Sequence, residues 1–122
     1  MTLNDYRDKA YKAASDKGFH NEINENFAQF IALIHSELSE ALEADRNDRW
    51  VDWVDGKNIE EMFLPETVDY QKYVKGTAEE EIADAIIRLC DLAGVYRMNL
   101  DWHVKAKMAY NEKQPYKHGK KY

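Results

Sequence analysis

Acidic side chains recur at helical spacing between residues 78 and 99 of this 122-residue chain. Glu81, Asp84, Arg88 and Asp91 are three or four positions apart, so they share one stripe of a helix. The rest of that helix is apolar nearly all round, which is typical of a largely enclosed helix. Carboxylates there are unfavourable unless they are paired or bind metal, and the one arginine can neutralise only one of them. The stripe therefore indicates a divalent-cation site or, on an exposed helix, a solvated stripe or an interhelical salt bridge.

A second acidic pair lies on the amphipathic stretch at residues 26–45. Glu37 and Glu40 are three positions apart and lie on one face. If this helix packs antiparallel to the later one, the two glutamates can meet Glu81 and Asp84. Four carboxylates form an all-oxygen site, which hard cations such as Mg²⁺ or Mn²⁺ prefer. The two patterns together predict a Mg²⁺ site.

Several amphipathic elements are needed to position these side chains. Apolar residues recur at helical spacing in four stretches, which predicts helices over residues 2–17, 26–45, 78–99 and 102–113. Capping residues precede three of them, namely Thr2 with Asp5, Thr77 with Glu80, and Asp101. Strand signals are nearly absent. We therefore expect an all-α protein, a four-helix bundle in a single domain spanning 1–122.

The 46–77 segment, between the second and third predicted helices, is rich in aromatic residues. It also contains the helix breakers Gly56, Pro65 and Gly76. A structureless loop of this length is uncommon in a compact domain. We expect short helical pieces or a flap over a site, with an aromatic-pinned structural insertion as the alternative. Candidates for base stacking in it are Trp50, Trp53 and Tyr73.

Composition excludes several classes of protein. Hydrophobic residues make up 44% and charged residues 33%, as in ordinary globular chains. The net charge of -6 disfavours general nucleic-acid binding. No apolar run approaches the roughly 18 residues of a membrane span, and the polar N-terminus does not resemble a signal peptide. We expect a cytoplasmic protein, with no nucleic-acid or membrane partner and with Cys90 buried as a small apolar side chain.

Three stretches together resemble the MazG-like nucleoside triphosphate pyrophosphohydrolases. IALIHSELSEALE, at 31–43, is similar to the family's first motif, and EEIAD with the following AIIRLCDLAG, at 80–94, is similar to the second. KMAYN, at 107–111, with the following QPY and HGKKY, is similar to the fourth-helix motif and tail. The resemblance implies the all-α NTP pyrophosphatase bundle, with an irregular or short-helical insertion between helices 2 and 3.

The same resemblance implies a reaction and a substrate. Glu37, Glu40, Glu81 and Asp84 would bind Mg²⁺ and activate water, with Glu40 or Glu37 as general base. The reaction would split (deoxy)nucleoside triphosphates into monophosphate and pyrophosphate. The implied role is house-cleaning of the nucleotide pool. Lys107 and Asn111 correspond to substrate-binding residues, and further substrate-binding candidates are Trp50, Arg88, Lys113 and Lys117. We expect a homodimer or homotetramer with its active site near the subunit interface.

Two other interpretations stay open from the residues alone. A ferritin-like di-iron protein needs Glu-x-x-His pairs on two helices, but the chain has Glu at position 40 and Asp at position 84. A catalytically weak bundle that binds nucleotide or metal, as a sensor or regulator, is the second. All four acidic positions are intact, which weighs against it.

Overall fold

The computed structural model describes residues 1–21 and 26–115. Within these ranges the chain is mostly helical, with one short hairpin. The elements in chain order are α1 (Leu3–Asp16), α2 (Phe27–Arg46), β1 (Trp53–Val54), β2 (Lys57–Asn58), α3 (Ile59–Met62), α4 (Tyr70–Tyr73), α5 (Ala78–Val95) and α6 (Leu100–Glu112). The four long helices lie where the hydrophobic spacing predicts them, which confirms an all-α class. None of the described helices has both the length and the hydropathy that crossing a membrane requires.

The chain divides into two compact units. Glu22–Leu89 form one, here called the central unit, and Met1–Asn21 with Cys90–Tyr122 form the other, the terminal unit. The central unit contains α2, the 46–77 segment and most of α5. The terminal unit contains α1, the end of α5 and α6. All the predicted metal ligands therefore belong to the central unit.

The first helix begins as predicted, but the last does not. Thr2 accepts a hydrogen bond from the Asp5 N–H, and Asp5 accepts one from the Thr2 N–H, so the predicted capping box is present. The prediction that Asp101 caps the last helix is wrong. Asn99 is the cap, and its side chain accepts from the Trp102 N–H at 3.1 Å. The physical reason is that Asp101 is occupied elsewhere in the terminal unit.

Asp101 and Asn4 cap each other's helices. Asp101 Oδ1 accepts from the Leu3 N–H at 2.9 Å, and Asn4 Oδ1 accepts from the Leu100 N–H at 2.9 Å. The first N–H groups of a helix have no partner within the helix. Two helix starts placed side by side can therefore satisfy each other, which joins α1 to α6.

The third predicted helix ends earlier than residue 99. Helix α5 stops at Val95. Arg97 adopts a left-handed backbone conformation with φ of 53°, and the Met98 N–H donates to the Ala93 carbonyl at 2.8 Å. A residue in this conformation cannot continue a right-handed helix, and the bond back to Ala93 closes the helix end.

The 46–77 segment contains the two short helices α3 and α4, as expected, and also a hairpin that was not predicted. Strands β1 and β2 pair antiparallel, with Val54 opposite Lys57. Asp55 and Gly56 form the turn, both with positive φ, 50° and 75°. An Asp-Gly pair is a strong signal for a two-residue hairpin turn, since such turns require positive φ at both positions.

The sequence predicts that α5 is largely buried, but several of its apolar side chains are exposed in the single chain. Ile87 is 55% exposed and Ile86 52%. On α2, Leu42 is 51% exposed. The buried apolar residues are mostly small, and no large side chain among the described residues is fully buried. A chain of this size has few elements to cover two long amphipathic helices, so parts of their apolar faces remain exposed.

Candidate functional site

Helices α2 and α5 run antiparallel in the central unit, as the site prediction requires. Glu37 Oε1 accepts a hydrogen bond from Arg88 Nε at 2.8 Å. Glu40 lies one turn after Glu37 on α2, and it contacts Glu81. Glu81 lies two turns before Arg88 on α5. Increasing residue numbers on α2 therefore match decreasing numbers on α5. This orientation places the acidic faces of the two helices opposite each other.

Five carboxylates form what we call the acidic cluster. Glu37, Glu40 and Glu81 can each offer an oxygen within 4.8 Å of the others, and Glu80, Glu81 and Asp84 can do the same. Glu81 belongs to both groups. The structure therefore brings together the four predicted ligands in two overlapping sets, and adds Glu80.

Glu81 is the most perturbed acid of the cluster. Burial, the hydrogen bond with Glu40, and the charges of Glu40, Glu80 and Asp84 raise the pKa of Glu81 to about 7. Its Oε2 atom is buried and has no hydrogen-bond donor among residues 1–21 and 26–115. A buried carboxylate oxygen without a donor is unfavourable. A cation would supply the missing partner, and the all-oxygen donor set suits a hard divalent ion.

Asp84 and Glu37 belong to different ligand groups of the cluster, but their charges interact. Burial and the charges of Glu37 and Glu80 raise the pKa of Asp84, although Arg88 acts in the opposite direction. Glu37 is largely buried and is paired with Arg88, whose side chain is 43% exposed. Arg88 therefore pairs with a carboxylate on the facing helix, and its charge also acts on Asp84 of its own stripe. The acids still outnumber the cations that contact them.

Glu80 was missed as a site residue because it was interpreted as a capping residue. Half of that interpretation is correct, since Thr77 Oγ1 accepts from the Glu80 N–H at 3.2 Å. The Glu80 carboxylate, however, accepts from the Gly76 N–H at 3.0 Å and lies 3.7 Å from Lys75 Nζ. Burial by itself raises the pKa of Glu80, but hydrogen bonds from Tyr70 and Gly76 and the charge of Lys75 hold it below its ordinary value.

The run of three glutamates at positions 79–81 was the available signal for Glu80. Two adjacent residues of a helix are about 100° apart, so a helical wheel assigns only one of them to the site face. Glu80 and Glu81 have long side chains, and different rotamers let both carboxylates reach the same site. A helical wheel shows the angular position of each residue but not the rotamer of its side chain.

The predicted substrate-binding residues near the C-terminus lie in the terminal unit. Lys107 and Asn111 are one turn apart on α6, and both are exposed. Lys107 Nζ lies 4.8 Å from the centre of the Tyr110 ring. Lys113 is the C-cap residue of α6, and Lys117 lies outside the described residues. Contact of these residues with substrate stays a prediction.

The aromatic candidates of the 46–77 segment have different surroundings. Trp50 is 52% exposed and its Nε1 donates to Asp45 Oδ1 at 3.0 Å. Tyr73 stacks on Phe63, with ring centres 5.6 Å apart. Trp53 lies in β1 and is 67% exposed. Trp50 and Tyr73 both line a pocket in the central unit, whereas Trp53 does not.

Asp91, the last residue of the acidic stripe, lies in the terminal unit and is not part of the acidic cluster. Asp91 Oδ1 lies 2.7 Å from His20 Nε2, and the His20 ring stacks on Tyr11. Cys90 is buried, as predicted, and burial raises the pKa of its thiol. A thiol with a raised pKa is a poor nucleophile at neutral pH. The candidate chemistry therefore belongs to the carboxylates.

Compared with models of protein families, with curated proteins and with solved structures, the chain shows no significant match.

Proposed function

We propose that the chain is a divalent-cation-dependent nucleoside triphosphate pyrophosphohydrolase with a bundle of the MazG type. The observation that carries the proposal is the convergence of carboxylates from antiparallel α2 and α5 on Glu81, whose buried Oε2 has no donor among the described residues. The three motif resemblances in the sequence support the same activity. The choice of the bond between the α- and β-phosphates comes from that resemblance.

The residues of the cluster have distinct proposed tasks. Glu37, Glu40, Glu81 and Asp84 would hold the cation, and Glu80 adds a fifth carboxylate beside them. Mg²⁺ or Mn²⁺ would neutralise phosphate charge and make water more acidic. Without a cation, the cluster must keep a proton or accept strong repulsion between its carboxylates. The acidic cluster is therefore suited to binding a cation together with an anionic substrate.

Glu40 is the better of the two proposed general bases. Glu37 is buried and its Oε1 accepts a hydrogen bond from Arg88, whereas Glu40 is exposed to solvent and its hydrogen bond is with another acid, Glu81. In the proposed reaction a water oxygen attacks the α-phosphorus, Glu40 takes the proton, and the bond to the β-phosphate breaks. The products are the nucleoside monophosphate and pyrophosphate. Arg88 acts as a positioning residue for Glu37.

The assembly and location that fit this proposal are a cytoplasmic homodimer or homotetramer. The exposed apolar faces of α2 and α5 support association of copies, because contiguous exposed apolar surface is unusual in a stable monomer. A nucleotide-pool enzyme would meet its substrates in the cytoplasm.

The test is a screen of the common ribo- and deoxyribonucleoside triphosphates with Mg²⁺, with pyrophosphate as the measured product. Glu40→Gln and Asp84→Asn should each lower kcat by about 10²–10⁴-fold, as expected for loss of a general base or a metal ligand. Circular dichroism should show that both variants keep the fold, because removing one negative charge relieves repulsion in the cluster.

Glu43→Gln is the matched control. Glu43 lies on the same helix, is exposed, and pairs with Arg46 outside the cluster. It should retain wild-type activity. Normal turnover in the Glu40 or Asp84 variants at limiting Mg²⁺ would contradict the proposed site. Nucleotide binding without pyrophosphate release from any triphosphate would favour the sensor interpretation instead.

A further inference from the structure

A pocket of about 220 Å³ lies beside the acidic cluster, where the 46–77 segment leaves α2 and returns to α5. Pockets for drug-sized ligands are typically roughly 300–1,000 Å³. This pocket therefore has room for a small anion or for part of a nucleotide. All the residues that line it belong to the central unit.

The pocket wall carries more positive than negative side chains, although the whole chain has a net charge of -6. The cations are Arg49, Lys72 and Lys75, and the carboxylates are Asp48 and Asp52. Lys75 is paired with Glu80, so Arg49 and Lys72 are the cations that this wall offers to an anionic ligand. Guanidinium and ammonium groups are the usual protein partners of phosphate.

Two of these cations are available to a ligand. Within the described residues, the Arg49 guanidinium forms no ion pair, and its Nη1 lies against the open side of Gly76. A Cβ at position 76 would approach that nitrogen to 3.2 Å, and φ at Gly76 is +82°. Lys72 Nζ lies 5.0 Å from the centre of the Tyr73 ring rather than on a carboxylate.

The third cation connects the pocket to the acidic cluster. Lys75 Nζ lies 3.7 Å from Glu80 Oε1, and the Gly76 N–H donates to the same oxygen. Glu80 in turn belongs to the ligand group with Glu81 and Asp84. A chain of phosphates could therefore extend from a cation held by the cluster into the pocket.

We propose that this pocket binds the terminal phosphates of the nucleotide, which leave as pyrophosphate, and that Arg49 and Lys72 are their ligands. The proposal rests on the proposed function, because it assigns the bound phosphates to that substrate. The charge of the wall favours phosphates over an uncharged base as the occupant. The 46–77 segment is then part of the substrate site.

The test measures binding of inorganic pyrophosphate to the full chain by calorimetry, with Mg²⁺ at low salt. Arg49→Ala and Lys72→Ala should each weaken binding by about tenfold or more, which is the effect of losing one charge-assisted hydrogen bond. Arg46→Ala is the matched control, because Arg46 lies three residues away, pairs with Glu43, and does not line the pocket. It should bind as the wild type does.

Kinetics provide the second readout. Arg49→Ala and Lys72→Ala should raise KM for the triphosphate by a similar factor, with a smaller effect on a nucleoside monophosphate as competitive inhibitor. Arg49→Lys should recover part of the lost affinity, since it keeps the charge but not the planar fork. Lys72 is exposed on α4, so Lys72→Ala should fold. The Lys72 variant therefore still tests the proposal if Arg49→Ala does not fold.

Pyrophosphate affinity equal to wild type in Arg49→Ala and Lys72→Ala would overturn the pocket assignment. So would an equally large loss of affinity for a nucleoside that carries no phosphate, because that result would make the pocket a base site. If the wild type binds pyrophosphate through Arg49 but cleaves no triphosphate, the proposed function fails and the anion pocket stands.

Discussion

At the scale of single residues, Glu81 shows how the site depends on charge. It shares one possible ligand group with Glu37 and Glu40 and a second with Glu80 and Asp84, and its Oε2 has no donor among the described residues. Burial and neighbouring acids raise its pKa to about 7. A carboxylate in such surroundings destabilises the folded chain when it ionises, and binding a cation removes that penalty.

The metal-free chain should therefore lose stability as pH rises from about 4.5 to about 7, the window between the ordinary and the raised pKa of Glu81. In this window the folded chain holds a proton that the unfolded chain has released, so a rising pH favours unfolding. Glu81→Gln removes this effect. In EDTA at pH 8 the variant should be more stable than wild type by about 1–3 kcal/mol, and at pH 4.5 nearly equal.

Thermal unfolding across this pH range measures the difference. Mg²⁺ should raise the Tm of the wild type at pH 8 more than that of Glu81→Gln, since it binds only the folded site. Glu43→Gln, an exposed control on α2, should follow the wild-type profile. Parallel pH profiles for wild type and Glu81→Gln would refute the raised pKa.

At the scale of elements, α1 and α5 approach each other closely at one glycine of the terminal unit. A Cβ built on Gly94 would lie 2.6 Å from Tyr11 Cβ. Real Cβ atoms do not approach another carbon so closely, so the helices can keep this spacing only with glycine. In an isolated helix the same glycine is unfavourable.

Gly94→Ala should therefore lower the free energy of unfolding by about 1–3 kcal/mol, as overpacking does. Exposed helical sites give the opposite result, a gain of about 0.5–1 kcal/mol. In a Tyr11→Gly background the clashing Cβ at position 11 is absent, and Gly94→Ala should become neutral or stabilising. Urea unfolding of the four proteins in this double-mutant cycle measures the change of sign. A stabilising Gly94→Ala with Tyr11 intact would show that the helices can move apart at no cost.

At the scale of the whole molecule, the parts of α2 and α5 in the central unit expose large apolar residues. Leu38 is 46% exposed on α2, and Ile87 is 55% exposed on α5. Burial of such surface contributes roughly 25 cal/mol per Å², which favours association of copies. The acidic cluster lies on the same two helices, which is consistent with a site near a subunit interface.

Light scattering at micromolar concentration should therefore give a dimer or a larger homo-oligomer. Ile87→Glu should shift the chain toward monomer, because a charge in an apolar interface is unfavourable. Gln71→Glu introduces the same charge on exposed α4 and should leave the assembly unchanged. A monomeric wild type at this concentration would exclude the proposed assembly.

The local sequence was sufficient to predict the four long helices and the helix faces of the four proposed ligands, but not the place of Glu80. Thr2 with Asp5, and the hydrophobic spacing of α2, act within a few residues, so their effect does not depend on the rest of the fold. The Asp55-Gly56 hairpin signal is equally local, since the turn depends on those two residues. The four carboxylates were also predictable, because helical spacing places them on two faces that can meet.

Tertiary structure alone decided which distant partners the polar side chains have. Arg88 and Glu37 are 51 positions apart, and Asp101 caps a helix that begins 98 positions earlier. Glu80 joined the acidic cluster because the Gly76 N–H and Lys75 hold its carboxylate there. Capping and pairing over such separations depend on which helix ends and faces become neighbours. Hydrophobic spacing states which face of a helix is apolar, but not which distant residue lies against it.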